Sequence, residues 1–214
     1  MKLFGYYRSS ASYRIRILLN VKKLDWTNRP ISLVDNAQKS AEFLAMNPAG
    51  LVPVLDTGSG VLAQSAAIGE YLEESFPRPA LLPSSPVERA QVREMVHTIG
   101  CDVHPLQNLR VLRYLRSEFG QDDEGVAEWC RRWIGDGLKA FESLAAQRSA
   151  NRTFSFGDSL TLADAWLIPQ VYNARRFALD LEPFPVITAI DRHCCGLPAF
   201  ADAHPDRQPD APTV

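Results

Sequence analysis

Four prolines fall within the ten residues 77–86, and they separate two stretches of the chain with different hydrophobic patterns. Closely spaced prolines remove backbone donors and stiffen the chain, so neither a helix nor a strand continues through such a segment. Short apolar runs between turn residues precede the segment, and long runs with helical spacing follow it. We therefore predict two domains, residues 1–80 and 87–214, joined by a linker at 77–86.

The stretch before the linker predicts strands and helices in alternation. The predicted strands lie at residues 2–7, 26–33, 51–55 and 61–63, and the predicted helices lie at 13–22, near 42–46 and from 65 to 72. The order β-α-β-α-β-β-α is that of a thioredoxin-like α/β domain. No Cys-x-x-Cys motif occurs in this stretch, so dithiol redox chemistry is not expected.

Pro53 falls inside the third predicted strand, although a residue without an N–H cannot complete the hydrogen-bond ladder of a sheet. Two interpretations are open. Either the strand lies at an edge of the sheet, or Pro53 marks a special geometry such as a cis peptide bond. The sequence pattern does not choose between them.

The stretch after the linker predicts an all-helical domain. The predicted helices lie at 87–118, 123–147, 161–178 and near 186–193. Thr161-Leu162-Ala163-Asp164 is a variant of the capping box, with Asp in place of the usual Glu. Pro105 disfavours helical backbone at His104, so we expect a bend there. Three prolines occur in residues 204–214, and we expect the tail after Asp202 to fray.

The composition of the chain argues against several classes of function. A formal net charge of −2 gives no basic footprint for nucleic acid. No apolar run approaches the roughly 18 residues of a membrane span, and the N-terminus starts with a predicted strand rather than a signal peptide. The four scattered cysteines indicate a reducing, cytoplasmic setting. Cys101 and His104 have i,i+3 spacing, but no full ligand set emerges, so no metal is predicted.

The segment from Arg8 to Arg16 crowds three serine hydroxyls and three guanidinium groups where the first predicted strand gives way to a helix. The first turn of a helix has N–H groups without an intrahelical partner and carries a partial positive charge. An anion or a thiolate is stabilised there, and a neighbouring serine can donate one more hydrogen bond. The alternative is ordinary N-capping, a role in which serine is common.

The layout of the chain and two of its motifs resemble those of cytosolic glutathione transferases. Asn47-Pro48 with Val52-Pro53 resembles the edge strand whose cis-proline presents backbone to glutathione. Gln64-Ser65 resembles the strand-to-helix turn that holds the γ-glutamyl carboxylate of glutathione. The resemblance covers residues from about 2 to 200 and implies a thioredoxin-like N-terminal domain followed by an all-helical C-terminal domain.

Three further motifs resemble the zeta class of these enzymes. Ser9-Ser10-x-Ser12-x-Arg14-x-Arg16 looks like the zeta signature, and His104–Leu109 and Pro169–Phe177 look like zeta segments. Zeta enzymes include maleylacetoacetate isomerase, and a close bacterial branch isomerises maleylpyruvate in gentisate breakdown. The stretch from Gly100 to Arg110 looks most like that branch.

The resemblance implies a glutathione-dependent isomerase of maleylpyruvate, which acts in aromatic-acid catabolism on a small dicarboxylate and forms a homodimer. The alternatives that stay open are maleylacetoacetate as substrate, a detoxifying glutathione transferase, and a non-enzymatic adaptor with the same fold. In the isomerase, a thiolate adds to the double bond while the neighbouring carbonyl becomes an enolate, and the bond then rotates. The zeta signature commonly has Cys where this chain has Ala11, so glutathione must supply the nucleophilic sulfur.

The resemblance also implies roles for individual residues. Ser9 stands at the position of the catalytic serine, and Ser10 assists it in stabilising the thiolate. Arg8, Arg110 and Arg176 are the predicted carboxylate ligands, because arginine forms bidentate contacts and stays charged. Arg176 follows another arginine, and helical spacing lets only one of the pair point inward. The residues expected to hold glutathione are Ser9, Ser10, Gln38, Val52 through its backbone, Gln64, Ser65, His104 and Asn108.

Overall fold

The computed structural model describes residues 1–212, and contacts divide the chain into two units. One unit comprises Met1–Leu81 and the segment that starts at Leu197, and the other comprises Leu82–Gly196. The first break in this division lies inside the proline-rich segment. The predicted helical domain extends to residue 214, whereas the second unit ends at Gly196. The segment from Leu197 onward packs with the first unit instead.

The first unit has the predicted thioredoxin-like order of strands and helices. Its strands are β1 (Lys2–Gly5), β2 (Thr27–Pro30), β3 (Val54–Asp56) and β4 (Val61–Ala63), and the helices among them are α1 (Ser10–Val21), α2 (Ala41–Met46) and α3 (Ser65–Ser75). The four strands form one sheet in the order β2-β1-β3-β4. β2 is parallel to β1, as a β-α-β crossover requires, whereas β3 is antiparallel to both of its neighbours. The predicted α/β fold class of this part of the chain is confirmed.

Pro53 stands immediately before β3, which starts at Val54. The peptide bond between Val52 and Pro53 is cis, as one of the two interpretations required. β3 lies between β1 and β4, so the expectation of an edge strand is wrong. The proline is compatible with a central strand because the strand is shorter than predicted and leaves the proline outside its ladder.

The second unit is built of helices, as predicted. They are α4 (Pro86–His97), α5 (Leu109–Phe119), α6 (Asp123–Arg148), α7 (Leu162–Arg176) and α8 (Pro185–Cys195). None of the helices within residues 1–212 is long and apolar enough to span a bilayer.

The prediction of one continuous helix over 87–118 is wrong in its middle. A π-helical turn at Thr98–Val103 and a 3₁₀ turn at His104–Gln107 separate α4 from α5. His104 has helical backbone angles, φ −57° and ψ −41°, so the expected non-helical backbone there is also wrong. Pro105 is tolerated because it stands at the start of the 3₁₀ turn, where no backbone N–H is needed.

The C-terminal segment is folded against α1, so the expectation that it frays is wrong for the described residues. α9 (Pro198–Ala203) packs against α1. Gln208 is buried, and its Nε2 donates to the carbonyl oxygens of Asp202 and His204, each at 2.9 Å. Pro205 opens a 3₁₀ turn, Pro205–Arg207, rather than releasing the chain; residues 213 and 214 lie outside the described part.

The capping box at the start of α7 is present and is buried. The carboxylate of Asp164 accepts hydrogen bonds from the N–H of Thr161 at 2.8 Å and from the N–H of Ser155 at 2.6 Å. Burial raises the pKa of Asp164, and these hydrogen bonds act in the opposite direction because they stabilise the carboxylate. One side chain thus fixes both the helix terminus and the loop that precedes it.

Asp164→Ala is expected to lower the free energy of unfolding by roughly 2–4 kcal/mol, because the buried N–H groups of Ser155 and Thr161 lose their acceptor. Urea unfolding followed by circular dichroism measures the change. Asp158→Ala removes an exposed carboxylate from the same loop and serves as the matched control, with an expected change within about 0.5 kcal/mol. Equal midpoints for the two variants contradict the anchoring role of Asp164.

Candidate active site

The turn between β1 and α1 places Ser9 at the N-terminus of a helix. Ser9 is the N-cap, and its Oγ accepts a hydrogen bond from the N–H of Ser12 at 3.2 Å. The N–H of Ser9 donates to the carbonyl oxygen of Tyr6 at 3.0 Å and closes the turn. α1 therefore starts at Ser10 rather than at the predicted residue 13. The N-capping interpretation is confirmed, and it is compatible with thiolate binding because capping uses only the oxygen of Ser9 and its hydroxyl hydrogen can still donate.

The electrostatic setting at the start of α1 favours an anion. The first turn of α1 contains no acidic residue, so no side chain of that turn opposes the positive end of the helix dipole. Ser10 is buried at the first helical position. Arg8 is exposed beside the turn, and its guanidinium carbon lies 6.0 Å from the ring centroid of Tyr7. Ser9, Ser10 and Arg8 thus lie in one short segment, as the sequence implied.

A buried arginine joins this helix to the turn before α3. Arg14 is 1% exposed, and its Nη1 donates to the Oγ of Ser65 at 3.2 Å. Ser65 is the first residue of α3, and Gln64 before it has a positive φ of 70°. A non-glycine residue with positive φ is uncommon and is often kept for a functional reason. The predicted residues Gln64 and Ser65 therefore form a second helix N-terminus that Arg14 links to α1.

Gln38 lies in a 3₁₀ turn, Ala37–Lys39, and is buried. Its Oε1 is buried and has no hydrogen-bond donor among the described residues. A buried amide oxygen without a donor costs free energy, which a ligand with an N–H group would recover. The turn lies against Gly50, where a Cβ would come within 3.1 Å of the carbonyl oxygen of Gln38. Val52, the other residue predicted in this region, is partly buried and precedes the cis bond.

The predicted residues His104, Asn108 and Arg110 follow one another at the start of α5. His104 is partly buried in the 3₁₀ turn. Asn108 is the N-cap of α5, and its Oδ1 accepts from the N–H of Arg110 at 3.1 Å. The cap uses the amide oxygen, so the amide N–H₂ of Asn108 can still donate to a ligand. The side chain of Arg110 is exposed on the first turn of the helix.

A chain of amide side chains connects the interior of the second unit to Arg176. The Nε2 of Gln107 donates to the Oε1 of Gln170 at 2.9 Å, and the Nδ2 of Asn173 donates to the Oε1 of Gln107. The Nη1 of Arg176 donates to the Oδ1 of Asn173 at 2.7 Å. The three amide side chains are buried, whereas Arg176 is exposed. The network thus holds one side of an exposed guanidinium.

The two adjacent arginines at the end of α7 have different partners. Arg175 pairs with the buried carboxylate of Asp191 in α8. Arg176 is held by Asn173, and its guanidinium carbon lies 5.4 Å from the ring centroid of Phe177. This divergence supports the choice of Arg176, rather than Arg175, as the residue of the pair that is directed to a ligand.

Sequence reasoning missed the amide network and the link from Arg14 to Ser65. The partners in the network are separated by 63 and 66 residues, so no local pattern joins them. Gln107 and Asn173 do stand inside the segments that resemble the zeta class, but the resemblance gave them no role. The signal that identifies them is the burial of three amide side chains on neighbouring elements.

None of the four cysteines lies in the turn between β1 and α1. All four are free. Burial raises the pKa of Cys130 to about 11, and burial together with the nearby carboxylate of Asp191 raises the pKa of Cys195 to about 12. Burial also raises the pKa of Cys194. Cys101 is exposed, with its Sγ 3.5 Å from the Nδ1 of His97. Residues 1–212 contain no group of three or more His, Cys, Asp or Glu side chains placed to hold a metal ion.

Comparisons with known proteins give a family match for the N-terminal part of the chain and relatives that cover almost all of it. Residues 1–74 match the N-terminal domain of glutathione S-transferases. The chain is 46% identical to maleylpyruvate isomerase of a Ralstonia species, over 99% of this chain and 100% of that protein. It is 45% identical to maleylacetoacetate isomerase of Pseudomonas aeruginosa, over 100% of both proteins.

Solved structures give the same result for the fold. A holo structure of maleylpyruvate isomerase, described as a bacterial glutathione S-transferase of the zeta class, superposes with a TM-score of 0.97 at 46% identity, over 99% of this chain and 100% of that one. Maleylacetoacetate isomerase of Methylobacterium extorquens, with bound malonate and glutathione, superposes with a TM-score of 0.95 at 36% identity, over 100% of both chains. The chain belongs to the zeta class of the glutathione S-transferase family.

Proposed function

We propose that this protein is a glutathione-dependent cis–trans isomerase that converts maleylpyruvate to fumarylpyruvate. The observation that carries the proposal is the N-terminus of α1, where Ser9 is the N-cap, its hydroxyl hydrogen is left to donate, and the first turn contains no acidic residue. It occurs in a chain that matches relatives named maleylpyruvate isomerase and maleylacetoacetate isomerase over its whole length.

The residues of the first unit fit glutathione as the cofactor. The helix N-termini at Ser9 and Ser65 suit the sulfur and a carboxylate of the tripeptide, respectively. The buried Oε1 of Gln38 needs an N–H donor, and the peptide groups of glutathione provide such donors. Ser10, Val52 and Gln64 complete the set proposed for this unit, and His104 and Asn108 are the residues proposed for glutathione in the second unit.

Ser9 has the role of stabilising a thiolate. Bound glutathione supplies the sulfur that makes the substrate double bond temporarily single, so that the bond rotates. The hydroxyl of Ser9 donates to that sulfur, and the start of α1, with Ser10, adds the positive end of its dipole. A helix dipole and one or two hydrogen bonds are worth on the order of 1–3 kcal/mol, or roughly one to two pKa units for the thiol. A shift of this size makes a bound thiol substantially ionised at neutral pH.

Arg8, Arg110 and Arg176 bind the carboxylates of the substrate in this proposal. Maleylpyruvate is a dianion, and arginine pairs with carboxylates in a bidentate manner at any physiological pH. The buried side chain of Asn173 orients the guanidinium of Arg176 for this purpose. The same positive charges stabilise the negative charge of the enolate that develops during rotation.

Maleylacetoacetate is the second candidate substrate, because the chain is about as similar to an isomerase named for it. The identities of 46% and 45% do not separate the two substrates. Arg110 favours maleylpyruvate, since its exposed guanidinium supplies a further charge for an α-keto acid. Several arginines argue against apolar compounds as the main substrates of a detoxifying transferase. A homodimer and a cytoplasmic location are further parts of the proposal, and family membership supports both.

The first test is an ultraviolet assay of the purified protein with each substrate. Isomerisation is expected only with glutathione, which acts in catalytic amounts and is recovered unchanged. Ser9→Ala is expected to lower kcat by about 10- to 100-fold, because the thiol loses a hydrogen-bond donor. Asp122→Ala removes the N-cap of α6, which holds none of the proposed site residues, and controls for the loss of a cap.

Three outcomes contradict the proposal. Turnover without glutathione excludes a reaction in which the glutathione sulfur is the nucleophile. Accumulation of a stable glutathione adduct identifies a transferase. Retention on glutathione-agarose without turnover of either substrate identifies an adaptor.

A second prediction concerns substrate choice. Arg110→Ala is expected to lower kcat/KM for maleylpyruvate about tenfold more than for maleylacetoacetate, because a charge-assisted hydrogen bond to the α-keto acid is lost. Arg113→Ala on the same exposed helix is the matched control and is expected to change both values by less than about twofold. Equal losses for the two substrates in the Arg110 variant contradict the assignment of Arg110.

A third prediction concerns the amide network. Asn173→Ala is expected to raise the KM for the dicarboxylate by about 3- to 10-fold and to leave the KM for glutathione unchanged, because Arg176 loses the partner that orients it. Steady-state kinetics with each substrate varied in turn measure the two constants. If Asn173 acts through Arg176, the double variant Asn173→Ala/Arg176→Ala has the same KM as Arg176→Ala alone. Additive effects of the two substitutions contradict the network.

A further inference from the structure

The C-terminal segment of the chain contacts the turn that carries Ser9, although 203 residues separate the two in sequence. α9 packs against α1, and carbonyl oxygens of this helix accept hydrogen bonds from α1 side chains. The Nε of Arg16 donates to Ala203 at 2.9 Å, and the Nδ2 of Asn20 donates to Ala199 at 3.1 Å. These bonds fix the path of the segment before it reaches the turn.

Asp210 holds the backbone of the turn directly. Its Oδ2 accepts from the N–H of Tyr7 at 2.8 Å, and its Oδ1 accepts from the Nδ2 of Asn28 at 3.3 Å. Asn28 lies in β2, which is the parallel neighbour of β1, whereas Tyr7 lies just beyond the end of β1. One carboxylate thus ties the turn to the sheet.

The other side of Tyr7 is held by Arg16. The Nη2 of Arg16 donates to the carbonyl oxygen of Tyr7 at 2.9 Å, while its Nε is bonded to Ala203. Both peptide groups of Tyr7 are therefore fixed, the N–H by Asp210 and the carbonyl by a side chain that the C-terminal segment also contacts. Arg8 and Ser9 follow this residue directly, so their backbone positions depend on it.

We infer that Asp210 is a positioning residue for the turn that carries Ser9. The role of Ser9 in this inference rests on the proposed function, whereas the contacts of Asp210 do not depend on it. The turn needs a hydrogen-bond acceptor at Tyr7 rather than a negative charge, since a carboxylate near a thiolate opposes its formation. An amide at position 210 can supply that acceptor, and rotation of the Asn28 amide presents its oxygen to the new N–H₂ group.

The test compares Asp210→Ala and Asp210→Asn with the parent protein. Asp210→Ala is expected to lower kcat about tenfold, as small displacements of a catalytic group do. It is also expected to raise the pKa of the glutathione thiol bound by the protein, measured by titrating the ultraviolet absorbance of the thiolate. Asp210→Asn is expected to restore most of kcat and of the thiol pKa.

Asp206→Ala is the matched control, because Asp206 is an exposed aspartate of the same segment. If Asp210→Ala does not fold, Asp210→Asn is compared with Asp210→Glu. The amide keeps the acceptor in place, whereas the longer side chain displaces it, so only the glutamate variant is expected to lose activity.

The inference is overturned if kcat and the thiol pKa of Asp210→Ala equal those of Asp206→Ala. It is also overturned if Asp210→Glu retains activity while Asp210→Asn loses it, since charge rather than position then matters. The thiol titration needs only bound glutathione, so it tests the positioning role even when neither isomerase substrate is turned over. A parent protein without isomerase activity thus contradicts the proposed function alone.

Discussion

Burial of two arginines in α1 is the constraint on which the first unit depends. A buried guanidinium is costly unless its N–H groups are paired, so Arg14 and Arg16 must have fixed acceptors. Arg14 donates to Ser65 at the start of α3, and Arg16 donates to Tyr7 and to Ala203. These bonds bring together the turn that carries Ser9, the start of α3 and the C-terminal segment. The helix that presents Ser9 is therefore also the element that organises its surroundings.

The second unit buries neutral amide groups, which also need hydrogen-bond partners. Gln107, Gln170 and Asn173 are buried amides that satisfy one another in a chain, and the chain ends at an exposed arginine. A buried network of this kind favours one arrangement of its members because other arrangements break the hydrogen bonds between them. The Nε2 of Gln170 has no acceptor among the described residues, so the network is not fully satisfied at its inner end. A rigid guanidinium suits the recognition of a carboxylate better than a mobile one, because less side-chain entropy is lost on binding.

The sequence predicted the structural features that depend on residues close together in the chain. The strand and helix order of the first unit and the capping box before α7 follow from hydrophobic spacing and from capping residues, and both are present. The π-helical turn at Thr98–Val103 was not predictable in this way, because its residues are compatible with an ordinary helix and tertiary packing decides the difference. The tail was assigned wrongly for the same reason. Its prolines indicate only that it is not helical, whereas its order comes from contacts with α1 and with Tyr7.

The site residues divide in the same way, into those that the local sequence reveals and those whose roles depend on partners far away in the chain. Ser9 and Ser65 stand at helix starts, which a sequence displays directly, whereas the roles of Arg14, Gln107 and Asp210 depend on partners far away in the chain. Residue-by-residue resemblance located the positions of Gln38 and Arg176, but it did not explain why they are suitable. The structure adds the physical reason, which is a buried oxygen that needs a donor at Gln38 and an oriented guanidinium at Arg176.

In the proposed function the chain needs no cysteine at Ala11, because glutathione supplies the sulfur. In the proposed function, the sulfur of bound glutathione lies at the start of α1, where the helix dipole and the Ser9 hydroxyl favour the thiolate. In that proposal, the protein stabilises the thiolate and glutathione supplies the sulfur, whereas a protein cysteine would combine the two tasks. The protein's own atoms provide a fixed electrostatic setting, and the nucleophile is present only when the cofactor is bound.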